Sequence, residues 1–166
     1  MNLAEIIDGH AGDSVAIIGR NRSTTYSELT EMVARARGGF LANGIANGDR
    51  VVIVCSNGLP FVVAYLALLG IGAVTVPLNP TSPPLELARQ VVAVGAIAAV
   101  VDRTGSAAWR DLDSTSIPTI RTVIAADSAE LPGAVAAADV MGAEPAPVVD
   151  VDPEHLAALL FTSGTA

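Results

Sequence analysis

The chain has 166 residues, 51% of them apolar and only 4% aromatic, and nine basic against seventeen acidic side chains leave a net charge of −8. That length allows one α/β domain with a real core, and the composition lies outside the disordered range. The acidic balance argues against nucleic-acid binding, because Arg20, Arg22, Arg35, Arg37 and Arg50 are diluted by nearby acids and form no basic face.

Residues 1–13 predict a short, partly amphipathic start (Leu3, Ile6, Ile7) ending in a Gly12-Asp13 turn. Glu5 and Asp8 stand where a signal peptide would carry its basic region, which predicts a cytoplasmic protein. Ser14 to Ile18 reads as a strand, Gly19 to Arg22 as its turn and Ser23 to Thr25 as a short return strand. Thr25-Tyr26-Ser27-Glu28 has the form of a capping box, and behind it Leu29, Met32, Val33, Ala36 and Phe40 recur at helical spacing up to an Asn43-Gly44 stop.

A strand follows at 51–55. Its Cys55, the only cysteine in the sequence, reads as a buried structural thiol and excludes an internal disulfide or a multi-cysteine metal site. From Ser56 to Leu85 no residue is charged, a length that would span a bilayer. Pro60, Gly70, Gly72, Pro77 and Pro80 interrupt the run, and no Lys or Arg cluster anchors either end, so it reads as a buried helix (60–69) and a buried strand (73–76) with no transmembrane segment. Ser82-Pro83 offers a cap and a first-turn proline for a helix through about Val94. Ile97 to Val101 predicts another strand, and 119–125 a further one. Asp127 to Asp152, rich in Ala, Pro, Gly and acids, reads as loop with short helical pieces. The final strand is expected at about 156–161.

Strands alternating with helices over short connections predict an α/β fold of parallel-sheet βαβ layers. The 60–69 helix has no polar face and must be buried on several sides, as in a larger multilayered body.

Motifs of common chemistry are missing from the sequence. It has no G-x-x-x-x-G-K-[ST], no G-x-G-x-x-G after a strand and no G-x-S-x-G elbow, and His10 and His155 stand alone and read as surface residues. One candidate remains. The apolar run Leu159-Leu160-Phe161 opens into Thr162-Ser163-Gly164-Thr165, where glycine lets the backbone approach an anion while hydroxyls and successive N–H groups converge on it.

Leu156 to Thr165 resembles the opening of the phosphate-binding signature of the adenylate-forming enzymes, which include acyl-CoA synthetases, luciferases and peptide-synthetase adenylation domains. Their pattern is an apolar strand, T-S-G-T, a further small residue and glycine, then Pro-Lys-Gly. Thr24 to Leu29 resembles the family's T-Y-x-E-L segment, Asn47 to Val51 its G-D-R-V, and Leu69 to Pro80 its G-A-x-x-x-P-L-N-P stretch. The resemblance implies part of the large N-terminal domain of the acyl-CoA synthetase/luciferase-like fold. It also implies a two-step ligase that uses ATP, coenzyme A and Mg2+ to carry a carboxylic acid through an acyl-adenylate to its thioester. Phosphate binding is carried over to Thr162, Ser163, Gly164 and Thr165 only; the upstream motifs read as structural.

The sequence stops before Pro-Lys-Gly, and it has Thr165-Ala166 where many members have Thr-Thr. Residues 1–166 therefore read as a partial N-terminal AMP-binding domain, cut inside the phosphate loop, without the C-terminal domain and its adenylation lysine. It would hold no catalytic residue and no metal ligand, and would be inactive alone. The Phe161–Thr165 segment looks more like a CoA ligase than a fatty acyl-AMP ligase, and fatty acid is the expected substrate from the abundance of such members. The competing expectation is a non-catalytic α/β module that binds a partner or dimerises through a sheet edge.

Overall fold

A computed structural model describes residues 2–126 and 128–162. Val15–Ile18 (β1) and Ser23–Thr25 (β2) form an antiparallel hairpin that stands as its own two-stranded sheet. The chain then enters the helix Tyr26–Ala42 (α1) through the expected capping box. The Glu28 N–H donates to Thr25 Oγ1 (3.3 Å) and the Thr25 N–H to Glu28 Oε2 (2.9 Å). That backbone donation, reinforced by the ion-paired Arg22, holds the Glu28 carboxyl below its ordinary range. Thr25→Ala is expected to cost about 1 kcal/mol, read as a lower urea midpoint at unchanged m-value; an unmoved midpoint would show that the hairpin alone fixes the helix start.

The main sheet is parallel throughout. Its strands are Arg50–Val54 (β3), Val74–Pro77 (β4), Ala98–Val101 (β5), Thr122–Ala125 (β6) and Val135–Ala136 (β7), in the spatial order β4-β3-β5-β6-β7. The central strands are almost unbroken Val, Ile and Ala because both faces are covered. Val51, Ile53, Ala98, Val100 and Ile124 point to one core with α1, the helix Leu59–Gly70 (α2) and Val140. Val52, Val54, Ala99, Val101 and Ala125 point to the other, with the helix Pro84–Val94 (α3) and Trp109. The two sets alternate along the sequence, as the two-residue period of a strand requires.

The apolar helix α2 is covered from within the chain. Besides α1, the 3-10 turn Leu3–Ile7 packs on it, and Asn2 and Val149 reach its last turn. The Val149 N–H donates to the Gly70 carbonyl (2.8 Å), and Asn2 Nδ2 donates to the Leu69 and Val149 carbonyls (2.8 and 3.0 Å). Much of the cover expected from a larger body is therefore supplied by segments distant in sequence.

Three expectations need correction. Helix α3 is capped at Pro83 with Pro84 as its first-turn proline, and the Ser82 side chain makes no cap. A helix not expected from the sequence, Arg103–Arg110 (α4), follows β5 at once, whereas the shorter Ala137–Met141 (α5), after β7, is one of the short helical pieces expected within 127–152. The strand expected at 156–161 is reduced to a single parallel bridge, with Leu160 72% and Phe161 44% exposed. That segment has one strand neighbour, β4, and no second strand among the described residues to pair with its outer edge.

Candidate functional site

From β3 the chain moves outward to β4, then crosses back over β3 to β5. Helix α2 leaves β3 on one face of the sheet, while α4 leaves β5 toward the core on the other. This divergence opens a crevice at the carboxyl ends of β3 and β5, where ligands usually sit in open α/β sheets. Here Asp102 occupies it. Its Oδ1 accepts the Gly105 N–H (2.8 Å) as the cap of α4, and its Oδ2 accepts the Ser56 N–H (2.7 Å). Ser56 Oγ and Thr104 Oγ1 are bonded to each other at 2.8 Å. The amides that would greet a phosphate are already turned to a carboxylate of the same sign. The switch point is sealed against anions.

Beside Asp102 lies an apolar cavity of about 310 Å³, bounded by α1, α2, α5 and the sheet, with Met32, Phe40, Val63 and Met141 among its walls. Cys55 lies on its sheet side, its thiol donating to the Val100 carbonyl (3.6 Å). Burial, then the Asp102 carboxylate, pushes that thiol up to about 12, leaving too little thiolate at neutral pH for a nucleophile. The expected structural role of Cys55 stands.

The sequence-based candidate lies at the opposite edge. The Thr75 N–H of β4 donates to the Ala157 carbonyl (3.0 Å) and the Leu159 N–H returns a bond to the Thr75 carbonyl (2.9 Å). Ala158 thereby faces Thr75 in parallel register, and Leu159 packs on the core that holds α3. Counting forward in that register, residue 160 is level with Pro77 and Thr162 lies two residues beyond the end of β4. The exposed Thr162 is thus carried past the carboxyl end of the sheet, about three strand spacings (~14 Å) from β5 and its Asp102. Ser163, Gly164 and Thr165 lie outside the described residues.

His10 is exposed, as read from the sequence, and stacks on Tyr26 with ring centroids 4.2 Å apart. His155 departs from that reading. It is half-buried, with Nε2 2.8 Å from the Gly72 carbonyl. A histidine three residues before a bridge residue has no sequence signature that would have revealed this.

Comparison with known proteins bears on the fold and the family. Residues 4–166 match the family model described as AMP-binding enzyme. Triostin synthetase I of Streptomyces triostinicus is 34% identical, over 92% of this chain and 28% of its own length. The 3-hydroxybenzoate–CoA/4-hydroxybenzoate–CoA ligase of Thauera aromatica is 28% identical, over 99% of this chain and 33% of its own. The anthranilate CoA ligase AuaEII in complex with anthranoyl-AMP superposes with a TM-score of 0.92 at 15% identity, over all of this chain and 33% of that one, a likeness of fold. Mycobacterium smegmatis MbtA superposes at 0.79 with 35% identity, over 92% of this chain and 29% of that one. The chain thus spans about a third of the length of these relatives. With its parallel α/β sheet and its match from residue 4 to residue 166, the chain belongs to the AMP-binding family of adenylate-forming enzymes.

Proposed function

We propose that residues 1–166 form part of the N-terminal AMP-binding domain of an ATP-dependent ligase that activates a carboxylic acid as its acyl-adenylate and passes it to coenzyme A. In this reading Thr162, Ser163, Gly164 and Thr165 hold phosphate. The observation that supports it is the parallel bridge between Thr75 and Ala158, which sends the chain out at the carboxyl end of the sheet just before three hydroxyls and a glycine. The donor set suits phosphate: compact hydroxyls and backbone N–H groups, with no Cβ at residue 164. ATP, with Mg2+, would supply the activated phosphorus and the pyrophosphate leaving group. The chain's own part is to orient that leaving group and offset its charge.

The curated relatives favour an aromatic acid over the expected fatty acid as substrate. The Thauera aromatica ligase is named for hydroxybenzoates, and a rice homologue at 30% identity is a 4-coumarate–CoA ligase. No helix among the described residues is long and apolar enough to cross a membrane, and a cytoplasmic ligase is the reading that accompanies this function.

Titrating the isotopically labelled 166-residue chain with pyrophosphate is expected to shift the amide resonances of Gly164 and Thr165 while leaving those of Ser56 and Gly105 at the sealed switch point in place. A response at Ser56 and none at Gly164 would move the site to the crevice and refute this assignment. The same chain is expected to show no ATP–pyrophosphate exchange with either 3-hydroxybenzoate or palmitate, whereas the ligase that contains it should exchange faster with 3-hydroxybenzoate.

A further inference from the structure

Two stretches treated above as structural meet at one atom. The turn between α2 and β4 places Gly72 at φ +75°, where a Cβ would lie 2.8 Å from Asn47 Oδ1. The Gly72 carbonyl accepts the Gly48 N–H (2.9 Å), and the Asp49 carbonyl accepts the Val74 N–H (2.8 Å). The loop before β3 and the turn before β4 are thereby locked together. The second lone pair of the Gly72 carbonyl faces His155 Nε2 at 2.8 Å. His155 is itself presented by a tight turn: Asp152 Oδ1 accepts the Glu154 N–H (2.8 Å), and the Asp152 carbonyl accepts the His155 N–H (2.9 Å).

We propose that His155 is a positioning residue that anchors the segment pairing with β4 and thereby fixes where Thr162 emerges. The claim that the anchored loop binds phosphate rests on the function proposed above; the anchoring itself does not. The described part of this segment has a single parallel bridge to the sheet, and an isolated bridge on an edge is a weak hold. Leu160 and Phe161, mostly out of the core, add little apolar burial beyond it. Three residues separate the Leu159 amide bond from Thr162, at most about 10 Å of chain, so whatever fixes 155–159 sets the reach of the loop. His155 fixes it from the amino side of the bridge, opposite the exit, and does so on a turn that is already rigid. The imidazole donates through Nε2, which both the neutral Nε2–H tautomer and the imidazolium allow.

Amide hydrogen exchange on the 166-residue chain tests the anchoring. In His155→Ala the Leu159 and Thr75 amides are expected to exchange about tenfold faster, while the Val52 and Val54 amides of the central strand keep their wild-type rates. His155→Gln, whose side-chain amide still donates a hydrogen bond, is expected to restore much of the protection, which a purely space-filling role would not require. Unchanged exchange at Leu159 in His155→Ala, or equal acceleration at Val52, would overturn the proposal. Pyrophosphate titration separates the two readings. If the wild-type Gly164 resonance ignores pyrophosphate, the phosphate assignment fails by itself, and the exchange rates still decide whether His155 holds the strand.

Discussion

Gly105→Ala is expected to destabilise the chain by about 3 kcal/mol, although alanine is the better helix former by about 1 kcal/mol. The two effects have opposite signs, so the measurement decides which governs. A Cβ at residue 105 would lie 2.3 Å from the Val54 carbonyl oxygen, 2.9 Å from Val54 Cγ1 and 3.3 Å from Val101 Cγ1. The nearest of these is backbone at the end of the central strand, which also accepts the Asp102 N–H. It has no rotamer with which to yield. Helix α4 would have to lift, lengthening the bond from the Gly105 N–H to Asp102 and loosening the plug at the switch point. For a chain of this size the expected loss corresponds to a melting temperature lower by roughly 6–12 °C. A variant that melts higher than wild type would mean that the helix seats freely and that the switch point is less tightly sealed than described.

Leu68→Ala should cost a similar amount, about 3–4 kcal/mol, for a different reason. Leu68 is fully buried on α2, within the core shared with α1 and the sheet. Truncation removes the transfer energy of its side chain and leaves a void that α2 cannot close, because Asn2 and Val149 hold its last turn in place. Leu85→Ala is the matched control: the same chemical change at a site 64% exposed should cost under about 0.5 kcal/mol. Paired urea titrations give both values. Equal losses at the two positions would contradict the burial of α2.

What the sequence disclosed follows physical lines. The capping box before α1, the apolar strands β3 to β5 and helix α2 each combine a local signal with the tertiary environment that rewards it. Helix α4 lacked such a signal. Its Gly105 and Ser106 are poor helix formers, buried for close approach to the sheet, and its cap Asp102 looked like the polar end of a strand. The apolar run 156–161 sent the opposite false signal, since hydrophobic composition there resembles a buried strand while, among the described residues, one strand edge lies beside it. Thr162 and the three residues after it stood out because glycine and hydroxyls cluster in sequence, and their phosphate role rests on the function proposed above. The anchor of that loop was not, because His155 and Gly72 are 83 residues apart and meet only once α2 and β4 are in place.

The order β4-β3-β5 also bears on how the chain acquires its structure during synthesis. After β3 and β4 have emerged and paired, the other edge of β3, the wholly apolar Val51–Val54, stays open until the chain has been made as far as Val101. Nascent chains halted between about Pro80 and Ile97 would display an unprotected, charge-free strand edge, the kind of surface that recruits other chains or a chaperone. Release from that hazard comes when β5 docks and Asp102 closes over the two strand ends, so the side chain that seals the crevice also marks the point at which the growing sheet becomes safe.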